Sequence, residues 1–268
     1  MQSLSELMKK ATSEMNLDYS YSKDKSTTEL LVELDNERTG SPKGFECDKC
    51  LNRGFITHYH KETDSSYIVH CECMKVRKAM KNAELSGMGE LLSYKLRDFK
   101  AVEPFQVAMR DKVKDYILKA DTEGVMALGQ SGIGKSMVCA SICNQRLKEY
   151  RQVKYMIWNE FVDRLKRMKY DLDRDEFFNE YAKAEILYID DLFKGKVTDS
   201  DVNIAFQLIN ERYNTNSVTI ISSELLLNDL RDIDEAIAGR MKEKAKSYCI
   251  QVGKDSSKNY RFKDEVIL

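Results

Sequence analysis

Gly129-Gln-Ser-Gly-Ile-Gly-Lys-Ser136 is the stretch on which the reading of the whole chain turns. It satisfies G-x-x-x-x-G-K-[ST], follows the apolar run Gly124-Val-Met-Ala-Leu128, and opens a helical stretch over 136–150. A strand, a glycine turn and a helix in that order make a phosphate-binding loop. Gly129, Gly132 and Gly134 let backbone N–H groups turn inward around phosphate oxygens; Gln130, Ser131 and Ile133 complete the loop, and the helix N-terminus adds its positive end. Lys135 is expected to reach the β- and γ-phosphates of ATP, and Ser136 to hold Mg²⁺ through its hydroxyl.

Outward from the loop, helical stretches alternate with short apolar runs. A helix over 104–120 precedes the loop strand; Val153-Lys-Tyr-Met-Ile-Trp158, Glu185-Ile-Leu-Tyr-Ile189, Ser217-Val-Thr-Ile-Ile-Ser222 and Tyr248-Cys-Ile-Gln-Val252 read as further strands, with helices over 201–214 and from 222 to about 246. This order predicts an α/β fold with a parallel sheet flanked by helices. The run Ile186-Leu-Tyr-Ile-Asp-Asp191 ends a buried strand in two carboxylates, a Walker B pattern. Asp190 is placed to bind Mg²⁺, and Asp191 to orient or deprotonate the attacking water. Ser223 or Glu224, closing the next strand, could touch the γ-phosphate or that water, and Arg240 could reach the γ-phosphate of a neighbouring subunit. Plainer roles compete: a polar strand end for the first two, and a cation near a helix C-terminus for Arg240.

The order Walker A, Walker B with Asp-Asp, Ile-Ser-Ser-Glu224, then Ile233-Asp-Glu-Ala-Ile-Ala-Gly-Arg240 resembles the AAA+ ATPases, and within them the bacterial helicase loaders of the DnaC/DnaI type. The resemblance spans about residues 45 to 260 and implies ATP-dependent loading of a replicative DNA helicase onto single-stranded DNA at replication initiation. It implies a helicase-binding N-terminal region, self-association with Arg240 as arginine finger, and Ser223 in the first sensor position. Only 28 residues follow Arg240, so a C-terminal helical lid is not expected. Asp191 stands where many AAA+ motors have Glu, and its shorter reach points to slow, partner-stimulated hydrolysis. Two other functions share the motifs: a transposase-helper ATPase, and a helicase-binding adaptor or inhibitor that uses nucleotide only as a switch. Absence of an N-K-x-D motif disfavours GTP.

Ahead of the ATPase, Cys47-x-x-Cys50 and Cys71-x-Cys73 supply four thiolates able to close a tetrahedral Zn²⁺ site. His58, His60 and His70 fall in the same window, so a histidine could replace Cys71 or Cys73. Cys139, Cys143 and Cys249 read as small core residues. Leu4, Leu7, Met8, Ala11 and Met15 suggest one helix, and Leu30, Leu31, Val32 and Leu34 another, for the core or for a partner. With a basic helical stretch over 74–85 and turn residues at Ser86-Gly-Met-Gly89, the chain divides into a small helical, zinc-binding domain at 1–89 and an AAA+ domain at 90–268.

Composition limits the rest. Lys+Arg number 43 against 44 Asp+Glu, so any nucleic-acid contact must be local rather than a matter of bulk charge. Arg164, Lys166, Arg167 and Lys169, with Tyr170 to stack on a base, form the best such stretch, balanced by Asp171, Asp173, Asp175 and Glu176. No apolar run approaches membrane-spanning length, so a cytoplasmic protein without a membrane partner is expected.

Overall fold

The computed structural model describes residues 25–41 and 46–262, which divide into a unit within Met1–Met74 and another within Lys75–Leu268. The apolar helix anticipated from Leu4 to Met15 lies outside the described residues. In the first unit Ser26 caps helix α1 (Thr27–Glu37) by accepting the Glu29 amide at 3.1 Å. Leu30 and Val32 are buried. An antiparallel hairpin follows, β1 (Phe55–His60) and β2 (Ser65–His70), paired from Phe55↔His70 to His60↔Ser65. Asn36 joins α1 to the hairpin by donating to Thr57 O at 2.7 Å and accepting the Thr57 amide at 3.0 Å. Asp35 accepts from Arg53 at 2.8 Å and from the Thr57 hydroxyl, and these donors hold its carboxyl below the usual range.

Helix α2 (Cys73–Ala83) is the expected basic stretch. Ala79, Ala83 and Met88 are buried in the core of the second unit, so residues 75–89 fold with the phosphate loop rather than with the N-terminal segment where the turn residues had grouped them. The apolar side of this short segment outweighs its Ser-Gly turn. Then come α3 (Pro104–Lys119), β3 (Val125–Gly129), α4 (Lys135–Lys148), β4 (Val153–Ile157), α5 (Trp158–Arg167), α6 (Arg174–Ala182) and β5 (Ile186–Asp190). The chain continues through α7 (Asp199–Asn214), β6 (Val218–Ser223), α8 (Leu227–Ile233), α9 (Glu235–Ala245) and β7 (Cys249–Val252). The long helical stretch expected after 222 is two helices, because Asp234 ends α8 and caps α9 through the Ile237 amide.

All five strands of this unit are parallel, in the order β4-β5-β6-β3-β7. Alternation along each strand splits the core in two. Val125, Ala127, Tyr155, Tyr188 and Ile220 pack with residues of α3 and α4; Met126, Leu128, Leu187, Ile189 and Ile221 pack with residues of α5 to α9. Arg212 of α7 is 1% exposed and has no carboxylate partner in its hydrogen bonds. It donates to the carbonyls of Tyr181, Ala182, Ala184 and Val218 and to the Thr219 hydroxyl, tying the end of α6 to the starts of β5 and β6. Burial draws this guanidinium down to about 9. Its loss would strand several buried carbonyls without a donor. Among the described residues β7 is followed only by single turns at Ser256–Lys258 and Tyr260–Phe262, so no lid is built there. No helix of the described residues is long and apolar enough to cross a membrane.

Candidate functional site

Three left-handed glycines shape the phosphate loop: Gly129 (φ 136°), Gly132 (φ 80°) and Gly134 (φ 94°), the last forming the N-cap of α4. A Cβ at Gly129 would meet Val252 O at 2.4 Å, and one at Gly134 would meet the Phe99 ring at 2.5 Å. Lys135 is folded onto its own loop, donating to Gly129 O at 2.7 Å and Gln130 O at 2.8 Å. Burial holds its ammonium below the ordinary lysine value, against the pull of Asp191 and Glu224.

Ser136 Oγ lies 3.4 Å from Asp190 Oδ1, which brings together the hydroxyl and carboxylate expected to share Mg²⁺. Both are hard oxygen donors suited to that ion. Asp190 is oriented by three more hydroxyls: Tyr188 donates to Oδ1 at 2.7 Å, Tyr155 to Oδ2 at 3.0 Å, and Ser222 to Oδ1. Tyr188 precedes Asp190 by two residues on the same strand face, and Tyr155 sits opposite Tyr188 in the β4–β5 register.

The strand-end serine that reaches this centre is Ser222, not Ser223. Besides its bond to Asp190, Ser222 Oγ accepts the Asp191 amide at 2.9 Å. Ser223 faces away, donating to Leu192 O at 2.7 Å and accepting the Leu225 amide at 3.2 Å. The two-residue period of β6 puts neighbouring serines on opposite faces, while Glu224 returns to line the cleft. Ser222→Ala is expected to lower Mg²⁺-dependent ATP turnover by about tenfold and to weaken it more than Ser223→Ala does, measured as kcat of the two variants.

The cleft itself holds about 390 Å³ and is walled by the loop, Tyr94, Phe99, Asp191, Lys194 and Glu224, and by Tyr260 and Arg261 from the tail. The tail is sewn to the loop. Tyr260 donates its amide to Gly132 O at 3.0 Å, Arg261 donates to Ser131 Oγ at 3.2 Å, and Gln130 exchanges two bonds with the Asp255 backbone at 2.7 and 2.6 Å. A Cβ on Gly132 would strike Asn259 Oδ1 at 1.8 Å. No motif in the sequence signals these tail contacts.

Arg240 is not among the residues lining this cleft; its guanidinium lies 5.1 Å from the Phe206 ring and 5.8 Å from that of Tyr213. The basic stretch is partly engaged. Lys166 pairs with Asp201 at 2.6 Å and Arg164 covers Phe177 at 4.2 Å, while Tyr170 is 88% exposed beside Lys169.

In the first unit the four sulfurs of Cys47, Cys50, Cys71 and Cys73 lie within 4.8 Å of one another, with Cys47–Cys71 at 3.7 Å and Cys50–Cys73 at 3.6 Å. A tetrahedral zinc with bonds of about 2.3 Å needs sulfur–sulfur edges of about 3.8 Å. The Cys47–Cys71 and Cys50–Cys73 edges have that length. Gly54 donates its amide to Cys50 Sγ at 3.3 Å. Burial alone would raise the Cys50 thiol, but this amide and the neighbouring sulfurs bring it down to about 7. Among the described residues no histidine joins the cluster; His58 stacks on Tyr67 and His60 faces Thr63. Cys139 and Cys143 are buried, with thiols pushed up by burial.

Residues 68–265 match the family of IstB-like ATP binding proteins. The chain belongs to this family. Its P-loop unit is thus an IstB-like ATP-binding domain. Relatives include YqaM of Bacillus subtilis, 28% identical over 76% of this chain and 69% of that protein. XkdC of the phage-like element PBSX of Bacillus subtilis is 26% identical over 77% of this chain and 82% of its own length. An IS21-like insertion-sequence ATP-binding protein of Bacteroides fragilis is 21% identical over 79% and 83%. The fold is that of the DnaC helicase loader (TM-score 0.55, 16% identity, 61% of this chain and 98% of that chain) and of DnaI (TM-score 0.52, 19% identity, 64% and 93%).

Proposed function

We propose that this IstB/DnaC-family protein is an ATP-driven loader that delivers a replicative DNA helicase to single-stranded DNA. The observation that supports this reading is the separate unit with four converging sulfurs ahead of the ATP-binding unit, which would serve as the partner-binding module. Cys47, Cys50, Cys71 and Cys73 would hold Zn²⁺ as a structural ion, since four protein ligands leave no open position for water.

In the ATP-binding unit, loop amides and Lys135 take the phosphates, and Ser136 and Asp190 share Mg²⁺. Tyr155, Tyr188 and Ser222 hold the Asp190 carboxylate in place. Asp191 draws a proton from the attacking water, Glu224 faces the same cleft, and Arg261 adds a cation beside the loop. Arg240 completes the site of a neighbouring subunit, which requires self-association. DNA phosphates meet the end of α5 at Arg167 and Lys169, with Tyr170 free to stack on a base.

The IS21-like and IS232 relatives favour a second reading, a transposase-helper ATPase. Co-purification of the full chain with replicative helicases and with transposases of its host, with and without ATP, separates the two. Retention of a helicase in an ATP-dependent manner is expected. Retention of a transposase alone would replace the loader reading with the helper.

A further inference from the structure

Lys194 is a charged group in the nucleotide cleft that no motif accounts for. It sits on a turn fixed by its neighbours: Leu192 and Phe193 are buried, the Leu192 amide donates to Ser222 O at 2.9 Å, and Phe193 packs edge-on against Trp158 at 5.5 Å. Asp191 and Phe193 both hold left-handed backbone, φ 57° and 58°, and the Lys194 amide closes the turn on Asp191 O at 3.1 Å. The turn therefore sends the lysine back toward the carboxylate that begins it. Its Nζ stands 2.6 Å from Asp191 Oδ2 and 3.7 Å from Glu224 Oε1, in the same cleft as Lys135 and Ser136.

We propose that Lys194 is a brake on ATP hydrolysis: its ammonium occupies the Asp191 carboxylate in the resting site, and turnover requires it to be drawn off. The inference rests on the reading of Asp191 as the group that accepts the proton of the attacking water. A carboxylate oxygen that already receives an ammonium proton at 2.6 Å is physically taken and does not face the water. The γ-phosphate of ATP enters the cleft that Lys194 lines and competes for the same ammonium on its flexible four-carbon stem, but the two carboxylates Asp191 and Glu224 retain it in part, so ATP alone leaves the site partly braked. Once Asp191 is released, it takes a proton from water as the water oxygen bonds to the γ-phosphorus. The bond from that phosphorus to the bridging oxygen breaks, leaving ADP and phosphate. Lys194 thus acts through Asp191, as a positioning residue.

The test is turnover of the full chain at saturating ATP without any partner. Lys194→Ala is expected to raise kcat on the order of fivefold, the scale of releasing a half-exposed ion pair. Lys194→Arg, which keeps a cation on the turn, should turn over more slowly than Lys194→Ala. A kcat for Lys194→Ala equal to or below that of the parent overturns the brake. Asp191→Asn and the double variant Asp191→Asn/Lys194→Ala should be equally slow; a faster double variant would show that the lysine does not act through Asp191, and also overturns it. Parent-like turnover by Asp191→Asn alone removes the base reading itself, and the brake with it.

Discussion

Replacing Lys135 with alanine raises the Kd for ATP on the order of 300-fold, a loss of roughly 3–4 kcal/mol, while the thermal midpoint of the nucleotide-free protein falls little or rises. The two halves of this expectation share one cause. The ammonium is 6% exposed and its hydrogen bonds go to the carbonyls of Gly129 and Gln130, so the fold holds a desolvated charge on neutral acceptors rather than on an anionic partner. Phosphate supplies that partner. Burial lowers the lysine's pKa in the folded state, so this charge opposes folding at neutral pH. That opposition fades as pH climbs from the lowered folded value toward the ordinary lysine value, and ATP, which needs the charged form, binds more weakly over the same interval. Calorimetric titration and thermal unfolding of parent and variant check both. An unchanged Kd would remove Lys135 from the phosphate site.

The second large effect concerns the sulfur cage. Stripping metal with a strong chelator under reducing conditions, or substituting Cys50 with serine, is expected to unfold the hairpin unit, because metal binding at such a site is worth about 10 kcal/mol or more. The described part of that unit offers little else: Leu30, Val32, Cys50, Cys71 and Cys73 are its buried apolar residues. So small a core does not hold without a staple. Limited proteolysis should cut between β1 and β2 after chelation, while ATP affinity of the second unit stays within about twofold. Metal analysis showing well under one zinc per chain in freshly purified, reduced protein would defeat the assignment.

The phosphate loop and the Asp-Asp strand were legible in the sequence because their chemistry demands residue types at fixed spacing, and the parallel sheet followed from strands alternating with helices. What escaped depended on phase or on distance. Ser222 and Ser223 are chemically alike, and only the alternation of β6 against Asp190 tells them apart. Tyr155 becomes a partner of Asp190 through a cross-strand register that no local pattern encodes. The β1–β2 hairpin was hidden because β2 is exposed along its whole length and buries no alternating face. Arg261 was invisible for another reason: the tail holds to the loop by backbone and polar contacts from single turns, which leave no apolar period. The cysteines were plain, yet the exclusion of histidine from the cage needed the fold, which stacks His58 on Tyr67.

The tail that walls the cleft also makes the nucleotide site addressable from outside. Tyr260 and Arg261 line its wall, with Tyr260 half exposed and bonded through its backbone to Gly132. A dye attached at position 260 would stand beside the phosphate loop without replacing any residue of it, and its emission would report occupancy directly.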